Sequence, residues 1–225
     1  MDISTVIFDV DGTLVNVEER FFYYYNRTLE SFGLEPLDRE TYEEKRSRGQ
    51  LSEPIPDVGQ ARANFWLEFI NHFSMADGTD LGTPFPGVGE ALNWLISNDY
   101  KTAVVTGRTS DPERIRQELD YMGIGRFFPV ILSNNDGIKG MNKAGKLLEC
   151  ARLVDAGPGE CAYVGDWEGD IHSAREASFG MIVAVLTGGE SEKALREHNP
   201  DVILPAVADL PGFLDGSKSS SPRAG

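Results

Sequence analysis

Residues 6–15, VIFDVDGTLV, begin as an apolar run of strand character and end in two carboxylates, Asp9 and Asp11, with Gly12 and Thr13 directly behind them. A carboxylate set beside a hydrophobic core is costly unless charge or hydrogen bonds compensate it. Two at the end of one buried strand therefore imply a compensating partner, and the rest of the chain indicates which.

From residue 87 onward the pattern alternates. Val88, Ala91, Leu92, Leu95 and Ile96 form a helical stripe, 101–106 (KTAVVT) reads as a strand, and 111–123 reads as a helix closed by Gly123. Strand character returns at 129–133, 161–166, 180–189 and 201–205, with helical patterns at 142–154 and 169–178 between them. Short apolar strands separated by helices predict an α/β fold with a parallel sheet covered on both faces. Residues 16–83 break the rhythm, with helical patterns at 17–32, 39–48 and 59–74 and no strand. The predicted organisation is a core of residues 1–15 and 84–215, an inserted helical unit of residues 16–83, and a tail of residues 216–225 with the composition of disorder. The aromatic run FFYYY (21–25) is expected inside the helical unit rather than on a binding face.

The 225 residues carry a formal net charge of −15, and 40% are hydrophobic. Lysines and arginines form no block, so a nucleic-acid partner bound through a basic face is not expected. The sequence shows no signal segment or transmembrane run, so no membrane partner is expected either. Cys150 and Cys161 belong to no CxxC pair and are expected as packed thiols in a reducing, cytoplasmic setting. Nothing in the pattern specifies an oligomeric state.

Open α/β sheets bind ligands outside the carboxyl ends of their strands. Read to those ends, the first strand delivers Asp9 and Asp11, the strand at 101–106 delivers Thr106 and Gly107, and the strand at 161–165 delivers Asp166, with Asp170 four residues on. Lys143 opens the helix after the third strand and is preferred for that reason over its neighbours Lys139 and Lys146. Four carboxylates and one ammonium sum to −3, a field that repels any phosphate. A divalent cation brings the sum to −1, and one shared proton neutralises it. An oxygen-rich site with few protein ligands suits Mg²⁺.

DVDGTLV (9–15), VVTGR (104–108), a mid-chain lysine and VGDWEGDI (164–171), in that order, resemble the four motifs of the haloacid dehalogenase-like hydrolase superfamily. The resemblance spans about residues 4–210 and implies a Rossmann-like core with an inserted small helical cap domain, acting on a small phosphorylated metabolite. It implies that Asp9 is the nucleophile that forms an aspartyl-phosphate, and that Asp11 is the general acid that later activates water. Mg²⁺ would be held by the carboxylates of Asp9 and Asp166 and by the backbone carbonyl of Asp11. Thr106 and the Gly107 N–H would bind phosphoryl oxygens, with Thr13 and Arg108 as further substrate contacts. Lys143 would neutralise phosphoryl charge, and Asp170 would orient Lys143 or the metal's waters.

Several positions depart from the family pattern. Ala144 stands where a proline is usual, and Trp167 stands where many relatives carry serine, either walling the pocket or simply packing. Arg108 either reaches a substrate anion or sits on the surface. Arg46 and Arg48 either touch the distal end of a substrate or belong to a solvated helix face, the second being preferred. The cap is most similar to those of phosphoglycolate phosphatases and β-phosphoglucomutases. Hydrolysis is the preferred expectation, with a sugar-phosphate mutase or a non-catalytic binding module on the same scaffold as alternatives. A dehalogenase has no leaving oxygen to protonate, and Asp11 argues against it. GMNKAGK (140–146) begins like a P-loop, but Leu147 occupies the position that requires Ser or Thr. His72, His172 and His198 show no ligand spacing.

Overall fold

The computed structural model describes residues 3–75, 82–138 and 140–219. In chain order its strands are β1 (Thr5–Phe8), β2 (Val15–Asn16), β3 (Thr83–Pro84), β4 (Lys101–Val105), β5 (Ile131–Leu132), β6 (Cys161–Gly165), β7 (Met181–Val185) and β8 (Val202–Leu204). Its helices are α1 (Glu18–Ser31), α2 (Arg39–Ser47), α3 (Ala61–Met75), α4 (Val88–Ser97), α5 (Pro112–Tyr121), α6 (Lys143–Leu153), α7 (Glu168–Glu176), α8 (Glu192–Glu197) and α9 (Leu210–Ser219). They divide into two compact units, Met1–Asn16 with Thr83–Gly225, and Val17–Gly82.

The first unit is built on β1, whose four residues are wholly buried. β1 runs parallel between β4 and β6, with Phe8 in register with both Val104 and Val164. Among the described residues the sheet has six strands in the order β5-β4-β1-β6-β7-β8, each pairing parallel. The chain grows from β1 outward to one side through β4 and β5, then to the other through β6, β7 and β8. The crevice at the carboxyl end of β1 is therefore the topological switch point, where a ligand finds room between diverging connections. This is the expected α/β fold with a parallel Rossmann-like sheet and a helical insertion.

Side chains alternate across the sheet. Ile7, Ala103, Val105, Tyr163 and Ala184 pack on one face with Leu147 of α6, Ile171 and Ala174 of α7 and Leu195 of α8. Phe8 meets Phe128 edge-on at 6.0 Å between ring centroids. Cys150 and Cys161 are free and buried, as expected, and burial pushes their thiols up to about 12 and about 11. Among the described residues no helix is long and apolar enough to cross a membrane.

The helical unit has its own core of Tyr25, Leu29, Tyr42, Ile55, Phe65 and Phe69. The FFYYY run serves this core: Tyr25 is inaccessible and donates its hydroxyl to the Leu51 carbonyl at 2.7 Å, while Phe21 and Phe22 pack against the cluster. Asp38 caps α2 by accepting the Thr41 N–H at 2.8 Å. Arg46 pairs with Glu18, and the exposed Arg48 pairs with Glu44 at 2.8 Å, so both belong to ion pairs of this unit's own surface.

Two features differ from the sequence expectation. β2 and β3 form a short antiparallel ribbon where the chain leaves and re-enters the core. Two residues per strand, one of them Pro84, are too few to show a period. The tail expected to be disordered from Gly216 instead continues α9 to Ser219, because Leu210 and Leu214, one helical turn apart, are buried and anchor it. The rest of that tail, 220–225, lies outside the described residues, as does Lys139.

Lys146, one of the alternative lysines, is 2% exposed and donates to the Asp136 carboxylate at 2.6 Å, while Asp136 also accepts the Ile138 N–H at 2.9 Å. The pair ties α6 to the loop after β5. Lys146→Met strands the Asp136 charge in a site with little water, and we expect a loss of about 3 kcal/mol in unfolding free energy, measured by urea denaturation.

Candidate active site

Because β1, β4 and β6 are in register, the residues that follow them leave the sheet side by side. Asp9, Thr106 and Asp166 thus reach one edge, and all three line a cavity of about 590 Å³ together with Asp11, Gly107, Arg108, Lys143 and Asp170. Every residue lining it belongs to the first unit.

Lys143 is the centre of the constellation. It is the first residue of α6, where Asn142 caps the helix by accepting the Gly145 N–H at 2.9 Å. Its Nζ donates to Asp9 Oδ1 at 3.1 Å and to Asp170 Oδ1 at 2.5 Å, and lies 5.5 Å from the centre of the Tyr163 ring. A cation at a helix N-terminus opposes the helix dipole. The two carboxylates offset that cost. Asp170 divides its oxygens: Oδ1 takes Lys143, and Oδ2 accepts the Asp166 and Trp167 N–H groups at 3.1 Å each, which closes the start of α7.

Asp166 is held just as closely. Thr13 Oγ1 donates to its Oδ1 at 2.6 Å. A Cβ on Gly12 would stand 2.4 Å from Asp166 Oδ2, and a Cβ on Gly188 would stand 1.7 Å from it, so two glycines leave room for the carboxylate. Gly12 also takes φ +78°, a conformation that glycine adopts without strain.

Oxygens of Asp9, Asp166 and Asp170 all come within 4.8 Å of one another. A set of three hard carboxylate oxygens, facing a cavity and only partly neutralised by one ammonium, fits a divalent cation. Burial pushes the Asp9 carboxyl up to about 7, with Lys143 opposing the rise and Asp170 and Asp11 adding to it. Burial likewise raises Asp166 well above the ordinary carboxylate range, and the charges of Asp9 and Asp170 add to it. Burial draws the Lys143 ammonium down, but Asp9 and Asp170 outweigh it, so Lys143 stays charged. The metal-free cluster thus retains a proton near neutrality, as crowded carboxylates should.

The remaining expected site residues fall into four groups. Thr106 and Gly107 line the cavity, and Asn134 Nδ2 fixes this turn by donating to the Gly107 carbonyl at 2.7 Å. Thr13 and Arg108, expected as substrate contacts, are engaged within the protein. Thr13 is wholly buried and gives its hydroxyl to Asp166, so it supports a carboxylate. Arg108 is 5% exposed and lines the cavity, and Asp11 and Glu118 hold its guanidinium. Asp11, whose backbone carbonyl is the ligand atom expected, accepts from Arg108 with both carboxylate oxygens, and its charge adds to the rise at Asp9. Asp170 meets Lys143, as expected, and also joins the carboxylate cluster.

Sequence reasoning missed Glu118, Asn134 and Tyr163. Glu118 left a signal, a carboxylate beside Ile115 and Leu119 on the buried side of α5. Tyr163, inaccessible beneath Asp170, donates to the Val105 carbonyl at 3.0 Å and looks like any strand aromatic in the sequence. Trp167 is 55% exposed at the cavity rim, and its ring lies over Gly169, where a Cβ would stand 2.4 Å from it.

The raised Asp9 carboxyl has a consequence for stability. Its folded value, about 7, exceeds its unfolded value, 3.8, so the folded state binds more protons between them. The contribution is full below about pH 4 and is lost as pH rises through about 7. In EDTA, the melting temperature should carry a component that falls over this range, Asp9→Asn should flatten it, and Mg²⁺ should restore stability at the upper end.

Residues 6–184 match the family model described as haloacid dehalogenase-like hydrolase. A pyrophosphatase, PpaX of Listeria welshimeri, is 26% identical over 209 residues, covering 92% of this chain and 94% of its own. Phosphoglycolate phosphatase 1 of Pseudomonas aeruginosa is 27% identical over 216 residues, covering 91% of this chain and 77% of its own. The structure of a haloacid dehalogenase-like family hydrolase from Streptococcus pneumoniae aligns with a TM-score of 0.75 at 19% identity, covering 94% of this chain and 98% of that one. A parallel sheet with its aspartates gathered at the switch point and a family match over most of the chain lead to one conclusion: this chain belongs to the haloacid dehalogenase-like hydrolases.

Proposed function

We propose that the protein is a Mg²⁺-dependent phosphatase that hydrolyses a small phosphorylated metabolite through an aspartyl-phosphate on Asp9. The observation that carries this reading is Lys143 bridging Asp9 and Asp170 beside Asp166 at a cavity floor. In support of this reading, Lys143 with a bound dication would offset the charge of a phosphoryl dianion beside Asp9.

In this reading an oxygen of Asp9 attacks phosphorus in line, and the bond from phosphorus to the substrate oxygen breaks. Asp11, once released from Arg108 and protonated, gives its proton to the departing oxygen. Asp11, now ionised, takes a proton from water as that water attacks the phosphorus, and the bond to Asp9 breaks to release inorganic phosphate. Thr106 and the Gly107 N–H hold phosphoryl oxygens, while Lys143 offsets their charge. Mg²⁺, held by the carboxylates of Asp9 and Asp166 with Asp170 beside them and by the carbonyl of Asp11, would supply the positive charge that lets a phosphate approach the aspartates. The helical unit is the family's cap in this reading. Two free thiols fit a reducing compartment, and we place the enzyme in the cytoplasm.

Phosphoglycolate is the first substrate to test, because a phosphoglycolate phosphatase is among the relatives, and pyrophosphate is the second. Phosphate release should fall by about 10³-fold or more in Asp9→Asn and should stop in EDTA. Persistence in EDTA would point to metal-free chemistry of the dehalogenase kind. Conversion of β-glucose 1-phosphate to glucose 6-phosphate without net phosphate would make the protein a mutase. If no panel substrate reacts and beryllium fluoride with Mg²⁺ is not retained, the protein is a binding module.

A further inference from the structure

His172 and His198, 26 residues apart in the chain, meet on the first unit. His172 Nε2 lies 3.0 Å from His198 Nδ1, and the two rings cross at 75° with their centroids 4.9 Å apart. The far nitrogen of His198, Nε2, lies 3.1 Å from Glu168 Oε2. Glu168 and His172 stand one helical turn apart on α7, and His198 caps the end of α8. Arg175 fixes that end, donating to the His198 carbonyl at 2.8 Å and to the Asn199 carbonyl at 2.5 Å.

The Glu168 carboxylate can only accept, so it selects the His198 tautomer with its proton on Nε2 and a lone pair on Nδ1. Metal-bound imidazoles are held in this way, the second N–H given to a carboxylate that fixes tautomer and ring. His172 now donates from Nε2 to that lone pair, and moving its proton to Nδ1 would free a second ligand nitrogen without any change of charge. Two imidazole nitrogens at about 2.0–2.1 Å from a tetrahedral ion stand about 3.3 Å apart. The rings therefore need to part by only a few tenths of an ångström and to tilt, and the exposed His172 has room for both.

The surroundings favour a cation. Glu190 Oε2 is buried without a hydrogen-bond partner among the described residues, and burial and the charge of Glu168 push this carboxyl up while His198 opposes the rise. Two carboxylates thus share one imidazole. Among the described residues, three possible ligands close enough for a single ion occur at Asp9, Asp166 and Asp170 alone, so the histidines supply two ligands and water the rest.

We propose that His172 and His198 form a metal site of their own, joining α7 to the end of α8 through a dication that prefers imidazole nitrogen, such as Zn²⁺. His172 Nε2 and His198 Nδ1 are its ligand atoms, and Glu168 orients the second ring. The site uses none of the aspartates of the oxygen-only cluster, which suits a harder ion.

Equilibrium dialysis of the untagged protein against Zn²⁺ in excess Mg²⁺ tests this. Asp166→Asn, which removes a ligand from the oxygen cluster, should leave one Zn²⁺ bound, and adding His172→Ala or His198→Ala should weaken that ion about tenfold or more. Cu²⁺ is the second probe, because its electron paramagnetic resonance carries a splitting from coordinated imidazole nitrogen that carboxylates do not give. The splitting should persist in His72→Ala and vanish when His172→Ala and His198→Ala are combined. Zn²⁺ bound within about twofold as tightly after either histidine is removed, a nitrogen splitting that survives the loss of both, or loss of all Zn²⁺ in Asp166→Asn overturns the inference.

Discussion

Three carboxylates gathered at one sheet edge repel each other, and the structure around them is organised by that repulsion. Lys143 bridges two of them, Thr13 donates to the third, and the N–H groups at the start of α7 take the spare oxygen of Asp170. Burial is the main reason why Asp9 and Asp166 lose their ordinary acidity, neighbouring carboxylates add to it, and a dication suits a cluster so short of positive charge. A fourth carboxylate, Asp11, pairs with Arg108, a cation it shares with Glu118. The site thus holds two groups of charges, neither of them neutralised by its own cation.

What brings these groups together is the register of three strands. Phe8, Val104 and Val164 stand level across the sheet, so the chains emerging after them share an edge without any long-range fitting of loops. α6 and α7 then present their first turns there, with Lys143 at the start of one and Asp170 in the first turn of the other. Helix starts are rigid and well determined, so the lysine and the aspartate inherit the precision of the scaffold.

Much of this was legible in the sequence because it depends on local rules. A strand buried on both faces is an apolar run, and a polar residue at its end marks the edge, as Asp9, Thr106 and Asp166 do. Lys143 could be preferred over Lys146 because it stands before a helical pattern, and the structure places Lys146 in a buried pair elsewhere. Contacts between distant segments were not legible. That Arg108 meets Asp11 could not be read, because the two lie 97 residues apart in the chain and no local pattern joins them. Thr13 looked like a ligand contact because its partner, Asp166, lies 153 residues on. The ribbon of β2 and β3 is too short to have a period, and the end of α9 depends on two buried leucines that composition alone does not weigh.

Trp167 gives the cavity an internal dye. Its indole is half exposed at the rim, and its orientation is set by the absence of a side chain on Gly169. Indole emission shifts in colour and intensity when nearby water is replaced by other matter. With Trp66 and Trp94 replaced by phenylalanine, filling of the cavity can therefore be followed from this ring's own light, with no label attached and no turnover required.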